Sequence, residues 1–160
     1  MPSITRPGPL RNFTRIVLAI LALSGVLALA YRDALTKNWA NISVDASESG
    51  LEAIELPYSP HEAVQRVTSL VASLPRWMIV TVNGAEGSIQ LVHTTRFWRF
   101  NDDVRLKFEP LGEKRCRMTG ESRSRVGKAD FGQNARNLKE VRYAVLAMIA
   151  AADQAETPQK

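Results

Sequence analysis

WMIVTVNGAEGSIQLVHTTR, residues 77–96, followed shortly by DVRLKFEPLGEKRCRMTGESR, residues 103–123, decides the fold. Each stretch holds two extended runs around a turn. Residues 77–83 and 88–96 flank Gly84-Ala85-Glu86-Gly87, and residues 103–110 and 114–123 flank Leu111-Gly112-Glu113. Loops of that length and composition close β-hairpins. In the second pair Val104, Leu106 and Phe108 fall on one side, with Arg105, Lys107 and Glu109 on the other. Likewise Cys116, Met118 and Gly120 alternate with Arg117, Thr119 and Glu121. Successive side chains of a strand point to opposite faces, so the pattern predicts an antiparallel sheet with one apolar and one wet face.

Helices flank this meander. Residues 51–57 read as a short first strand, and Ser59-Pro60-His61-Glu62 then has the form of a helix start, with Ser59 as N-cap, Pro60 at the first helical position and Glu62 completing a capping box. Ala63, Val64, Val67, Leu70, Val71 and Leu74 recur at steps of three and four, a stripe that Pro75 ends. Near the C-terminus Asp130, with Gln133 three residues on, opens a second helix whose stripe is Leu138, Val141, Val145, Met148, Ile149 and Ala152. The expected order over 51–153 is β-α-β-β-β-β-α. That order specifies an α+β two-layer sandwich, an antiparallel sheet with both helices on one face. Residues 154–160 are polar, contain Pro158, and are expected to form a disordered tail.

Ahead of the domain lies IVLAILALSGVLALA, residues 16–30, without a charge and preceded by an arm, 1–15, that carries Arg6, Arg11 and Arg15 and no acid. Fifteen helical residues extend about 22 Å, short of a ~30 Å hydrocarbon core, although Phe13 and Tyr31 could lengthen the segment while Arg15 reaches the interface. Ala28-Leu29-Ala30 has the small-x-small pattern of a signal-peptidase site. Residues 16–31 are therefore expected to be a transmembrane anchor or a cleaved signal peptide. A basic flank resists translocation, so the arm is expected in the cytoplasm and the domain at the inner membrane on its periplasmic side, or released there on cleavage. Residues 32–50, polar and without period, are expected to be a linker.

Composition narrows function mainly by exclusion. The 21 Lys plus Arg against 16 Asp plus Glu give +5, but three of those arginines belong to the arm, so the domain itself is close to balanced. Cys116 is the only cysteine, which excludes an internal disulfide, a redox pair and a cysteine zinc knuckle. Its place on the apolar side of a strand suits inert packing. Neither His61 nor His93 has an acid or cysteine at metal-ligand spacing, and no nucleophile elbow or phosphate loop is present, so neither metal, cofactor nor catalysis is expected. Asp102 and Asp103 should point to opposite faces of a strand, which disfavours a shared acid-base site. Phe97, Trp98 and Phe100 beside arginines could stack nucleobases, but an exported domain rarely meets them; no nucleic-acid partner is expected, and the three aromatics are read as core and bulge packing.

Four strings carry a resemblance: Leu56-Pro57-Tyr58-Ser59-Pro60, Leu74-Pro75-Arg76-Trp77, the segment 95–104 (TRFWRFNDDV) and the segment 124–136 (SRVGKADFGQNAR). In this order and separation they resemble the family known as domain of unknown function 1499. The resemblance covers most of 51–150. It implies bacterial or plastid proteins, often with a hydrophobic N-terminus, and no established activity.

Two of these strings gather Arg96, Arg99, Asp102, Asp103, Arg123, Arg125, Lys128, Asp130, Asn134 and Arg136 in or beside two loops. One expectation is an ion-pair and capping network joining the loops, with Gly127 and Gly132 supplying backbone freedom. The other is an anion site, with Arg99, Arg123, Arg125 and Lys128 near a helix N-terminus, although Asp130 already occupies that N-cap. Three functions follow. The preferred one is a membrane-tethered, non-catalytic envelope module that docks on a larger membrane complex as an accessory subunit. The alternative is a binder of a small anionic ligand or lipid, which requires a cavity with arginines at its mouth. A hydrolase or isomerase would need a pocket holding His93 or Asp103 beside a second titratable group.

Overall fold

The computed structural model describes residues 9–30, 32 and 37–156. Its elements are α1 (Pro9–Ala30), β1 (Trp39–Ile42), β2 (Ile54–Leu56), α2 (Pro60–Ala72), β3 (Trp77–Asn83), β4 (Ser88–Thr94), β5 (Asn101–Gly112), β6 (Arg115–Ser124) and α3 (Gln133–Glu156). The protein is α+β, with an N-terminal helix and an antiparallel six-stranded sheet. The sheet runs β1-β6-β5-β4-β3, and β2 takes the edge of β6 beyond the end of β1. Both hairpins form where the turn residues placed them, and β5 and β6 pair from Asp102↔Ser124 to Gly112↔Arg115.

Alternation translates directly into burial. Val104, Leu106, Phe108, Cys116 and Met118 are buried, joined by Ile89 and Leu91 of β4. The opposite face carries exposed Arg105, Lys107, Glu109 and Glu121. Ser59 caps α2, its Oγ accepting from the Glu62 N–H at 3.3 Å, and Pro60 fills the first turn where no backbone donor is needed. Ala63, Val64, Val67 and Val71 then bury against the β3 side of the sheet, while Leu138, Val141 and Val145 of α3 bury over β1 and β6. Two helices on one apolar face thus close a single core.

Three expectations are corrected. Residues 32–50 contain β1, which pairs Trp39↔Arg123 through Ile42↔Gly120, so the stretch read as a linker supplies an edge of the sheet. The pairing is non-local, and four residues amid polar neighbours show no period of their own. Helix α3 continues to Glu156, through the first three residues of the expected tail. Phe97, Trp98 and Phe100, read as packing, are 85%, 78% and 47% exposed. The basic arm's first eight residues, Tyr31, residues 33–36 of the expected linker and residues 157–160 lie outside the described residues.

Helix α1 leaves its large apolar side chains uncovered, Phe13 at 66% and Leu29 at 76%. Among the described residues no helix is long and apolar enough to cross a membrane.

Gly87 closes the β3–β4 hairpin at φ +60°, and a Cβ there would lie 2.6 Å from the Phe108 carbonyl oxygen. Its own carbonyl accepts from the Phe108 N–H at 2.8 Å, so the neighbour is fixed and cannot retreat. Gly87→Ala is expected to cost about 2–3 kcal/mol of stability, measured as a lowered urea midpoint at unchanged slope.

Candidate functional site

The inner face of the sheet is apolar except at one end. There His93, Asp102, Ser122, Asn134 and Asn137 are all buried, on β4, β5, β6 and the first turns of α3. Burying a polar group is tolerable when its hydrogen bonds are made, and here most are. Ser122 Oγ donates to Asn134 Oδ1 at 2.6 Å, and Asn134 Nδ2 faces the Asn38 carbonyl at 2.8 Å and Ser124 Oγ at 2.9 Å. Asn137 Nδ2 donates to Asp102 Oδ2 at 2.8 Å. Asp130 accepts from the Gly132 and Asn134 backbone N–H groups at 2.9 and 2.7 Å and so caps the start of α3.

The ten clustered residues therefore separate. Asp102, Asp130 and Asn134 belong to the buried layer. Asp103, on the opposite face from Asp102, is held by Arg125, whose Nε and Nη2 donate to it at 3.0 and 2.6 Å; that bond raises the Arg125 pKa further. Arg136 donates to the Phe131 carbonyl at 3.0 Å and to Gln133 Oε1 at 3.1 Å. Arg96, Arg99, Arg123 and Lys128 are exposed and make no ion pair with a carboxylate among the described residues.

Two concavities open beside this layer. The larger, about 660 Å³, lies between β1, the 46–51 loop and the start of α3. Ala40, Ala46, Leu51 and Ala135 form its apolar lining, Trp39 and Phe131 stand as aromatic walls, and Lys37, Arg136 and the Lys139–Glu48 ion pair (2.8 Å) occupy its rim. Phe131 is held at φ +52°, a left-handed conformation that a residue with a bulky side chain adopts only when its surroundings enforce it. Here Asp130 on one side and Arg136 on the other pin it. The smaller groove, about 320 Å³, lies at the β3 edge and is lined by Arg76, Trp77, Met78, Thr94, Thr95, Arg96 and Arg99.

Sequence reasoning did not find Trp39, Ala46, Phe131, Ala135 or Arg76. The larger cleft is assembled from three separate segments, and small or aromatic side chains in each carry no local signature of a shared wall. The one nearby signal in the sequence is Gly132, inside the quoted string 124–136, whose backbone freedom is expected; that Phe131 is left-handed as well is seen only in the structure.

His93 sits behind Trp77, ring centroids 4.9 Å apart, and neither of its ring nitrogens has a hydrogen-bond partner among the described residues. Glu140 Oε2 is 3.9 Å from Nε2. Neither His93 nor Asp103 lines either concavity, so the pocket a hydrolase or isomerase would need around them is not formed by these two. Burial also pushes the Cys116 thiol up to about 11, which leaves it protonated and unreactive. Among the described residues no group of three or more His, Cys, Asp and Glu is placed to hold a metal.

A family profile described as Protein of unknown function (DUF1499) matches residues 31–145. A comparison with curated proteins finds no match. Among solved structures, norcoclaurine synthase from Thalictrum flavum in complex with dopamine and hydroxybenzaldehyde is 9% identical, covering 99% of each chain at a TM-score of 0.47. The di-domain ARO/CYC protein BexL is 14% identical over 75% of this chain at a TM-score of 0.47, and the match spans 48% of the BexL chain. The Zhui aromatase/cyclase of a Streptomyces species is 12% identical over 72% of this chain and 87% of its own, at a TM-score of 0.33.

Burial holds the His93 pKa below its ordinary 6.5, reinforced by Arg76 and opposed by Glu140 and Asp102. On acidification through about 6.5 the unfolded chain takes up the proton first, so stability present above that pH declines as pH falls toward the lower folded value. Thermal melts between about pH 7 and 5 are expected to show this decline, and His93→Gln, which cannot titrate, should flatten it.

Proposed function

We propose, for a chain that belongs to the family described as Protein of unknown function (DUF1499), that the domain is a non-catalytic binding module for a small amphipathic anion. The observation that carries this reading is the larger cleft. Its volume, about 660 Å³, falls within the ~300–1,000 Å³ of small-molecule sites. Its lining offers alanines, Leu51 and two aromatic walls for an apolar body and Arg136 for a negative head, while the two carboxylates there are already engaged, Glu48 by Lys139 and Asp130 by the backbone N–H groups of Gly132 and Asn134. Arg136 is bonded to two neutral oxygens, which orient its guanidinium without cancelling its charge. An arginine at the mouth of a ligand-sized cavity is the feature that separates a ligand binder from a docking subunit. The ligand-binding alternative therefore takes precedence over an accessory role in a membrane complex.

A membrane location is part of the proposal. It is supported by the uncharged run 16–30 behind an arginine-bearing arm, which favours an arm in the cytoplasm and the domain at the inner membrane on the periplasmic side.

Titration of the full chain, kept in solution by an amphipathic polymer, with hexyl phosphate should shift the indole N–H resonance of Trp39 and leave that of Trp77 in place. Ala135→Trp, which fills the cleft, should abolish the shift. Arg136→Gln should weaken it about tenfold, the worth of one charge-assisted hydrogen bond, while leaving hexanol binding unchanged. An Ala135→Trp protein with native circular dichroism that still binds hexyl phosphate as tightly would refute the cleft as the site.

A further inference from the structure

The connection between β4 and β5 places its aromatics where folding does not need them. Phe97 is 85% exposed and Trp98 78%, far above the exposure that packing would leave. The loop is nevertheless rigid at its base: Thr95 N–H donates to the Phe100 carbonyl at 2.8 Å, and the Phe100 N–H returns to Thr95 Oγ1 at 2.9 Å. Trp98 stacks on Phe100 with centroids 6.5 Å apart and planes 15° from parallel. Arg99, between them in the chain, is held at φ +51°. A closed loop that holds indole and phenyl rings in water has forgone the stabilisation that their burial would bring. Such a patch marks a surface that something apolar covers.

Charge and chain direction identify the cover. Arg96 and Arg99 flank the aromatics, Arg76 joins them in the groove below, and none of the three forms an ion pair among the described residues. Rings with arginines around them match the bilayer interface, where aromatic side chains sit at headgroup level and guanidinium groups meet lipid phosphates. The same end of the sheet receives the chain from α1. Asp130 N–H donates to the Lys37 carbonyl, Ser124 N–H to the Asn38 carbonyl, and Asn38 Nδ2 to the Gly127 carbonyl. β5 starts and β4 and β6 end there. From Ala30 to Lys37 is seven residue steps, at most about 25 Å when fully extended. A bilayer that takes up the apolar residues of α1 is therefore within reach of the Phe97–Trp98 tip, whether or not α1 crosses it.

We infer that the β4–β5 tip docks on the surface of an anionic lipid bilayer, inserting Phe97 and Trp98 at the headgroup boundary with Arg76, Arg96 and Arg99 on lipid phosphates. The inference shares with the proposed function the membrane location, but it does not use the cleft of Trp39 and Phe131.

The test is fluorescence of the full chain reconstituted in vesicles of phosphatidylglycerol and phosphatidylcholine whose acyl chains carry bromine, a short-range quencher of indole. Quenching is expected in the wild type, to be lost in Trp98→Phe and kept in Trp39→Phe. Arg96→Gln with Arg99→Gln should lower the ratio of inserted to withdrawn tip about fivefold per arginine, and pure phosphatidylcholine should do the same to the wild type. Inorganic phosphate added to the vesicles should not release the tip; release would assign the arginines to a free anion and overturn the bilayer as occupant. Equal quenching in the wild type and Trp98→Phe would overturn the insertion. Ala135→Trp should leave the quenching intact while abolishing hexyl phosphate binding, so the failure of one site is distinguishable from the failure of the other.

Discussion

A buried amide must find partners, and at Asn134 that requirement ties together parts of the chain that have no other reason to meet. Its side chain is fully buried beneath the first turn of α3, where unmade hydrogen bonds cost ~1–3 kcal/mol each. The partners are Ser122 and Ser124 of β6, the carbonyl of Asn38 and the carboxylate of Asp130. Satisfying one side chain thus fixes where β1 begins, how α3 starts and which loop conformation lies between β6 and α3. Both walls of the larger cleft descend from it: Trp39 follows Asn38, and Phe131 follows Asp130.

The core of the domain was legible because its signals are local and periodic. β5 and β6 alternate strictly since one face meets water and the other meets two helices, and both helices announce themselves through a stripe and a cap residue. β1 has no local signal because its pairing is with β6, 78 residues away where Ile42 meets Gly120, and the four residues WANI carry no period of their own. The candidate site was harder still. Arg125 with Asp103, and Asp130 with Asn134, could be anticipated from opposite charges and cap spacing within two neighbouring loops. Ala46 and Ala135 could not, because a wall made of small residues is defined by what is missing from it.

The aromatic tip teaches a different lesson. The sequence alone predicts packing for Phe97, Trp98 and Phe100, because large apolar side chains are buried by default. Six residues close the loop on itself through Thr95 and Phe100, which turns its side chains away from both layers. Local hydrogen bonding outweighed hydrophobic preference, and only a structure reveals when that happens.

Backbone strain is concentrated at one end of the molecule. The left-handed residues other than glycine among those described are Arg76, Arg99 and Phe131, each costing on the order of 1–3 kcal/mol. All three stand on loops at the end that carries the buried polar layer, both concavities and the exposed rings. The opposite half of the sheet holds the compact apolar packing of Leu106, Phe108, Met118, Val64 and Val67. The three left-handed backbones thus gather at the end that receives the chain leading to α1, while the far half of the core supplies the apolar packing that this half lacks.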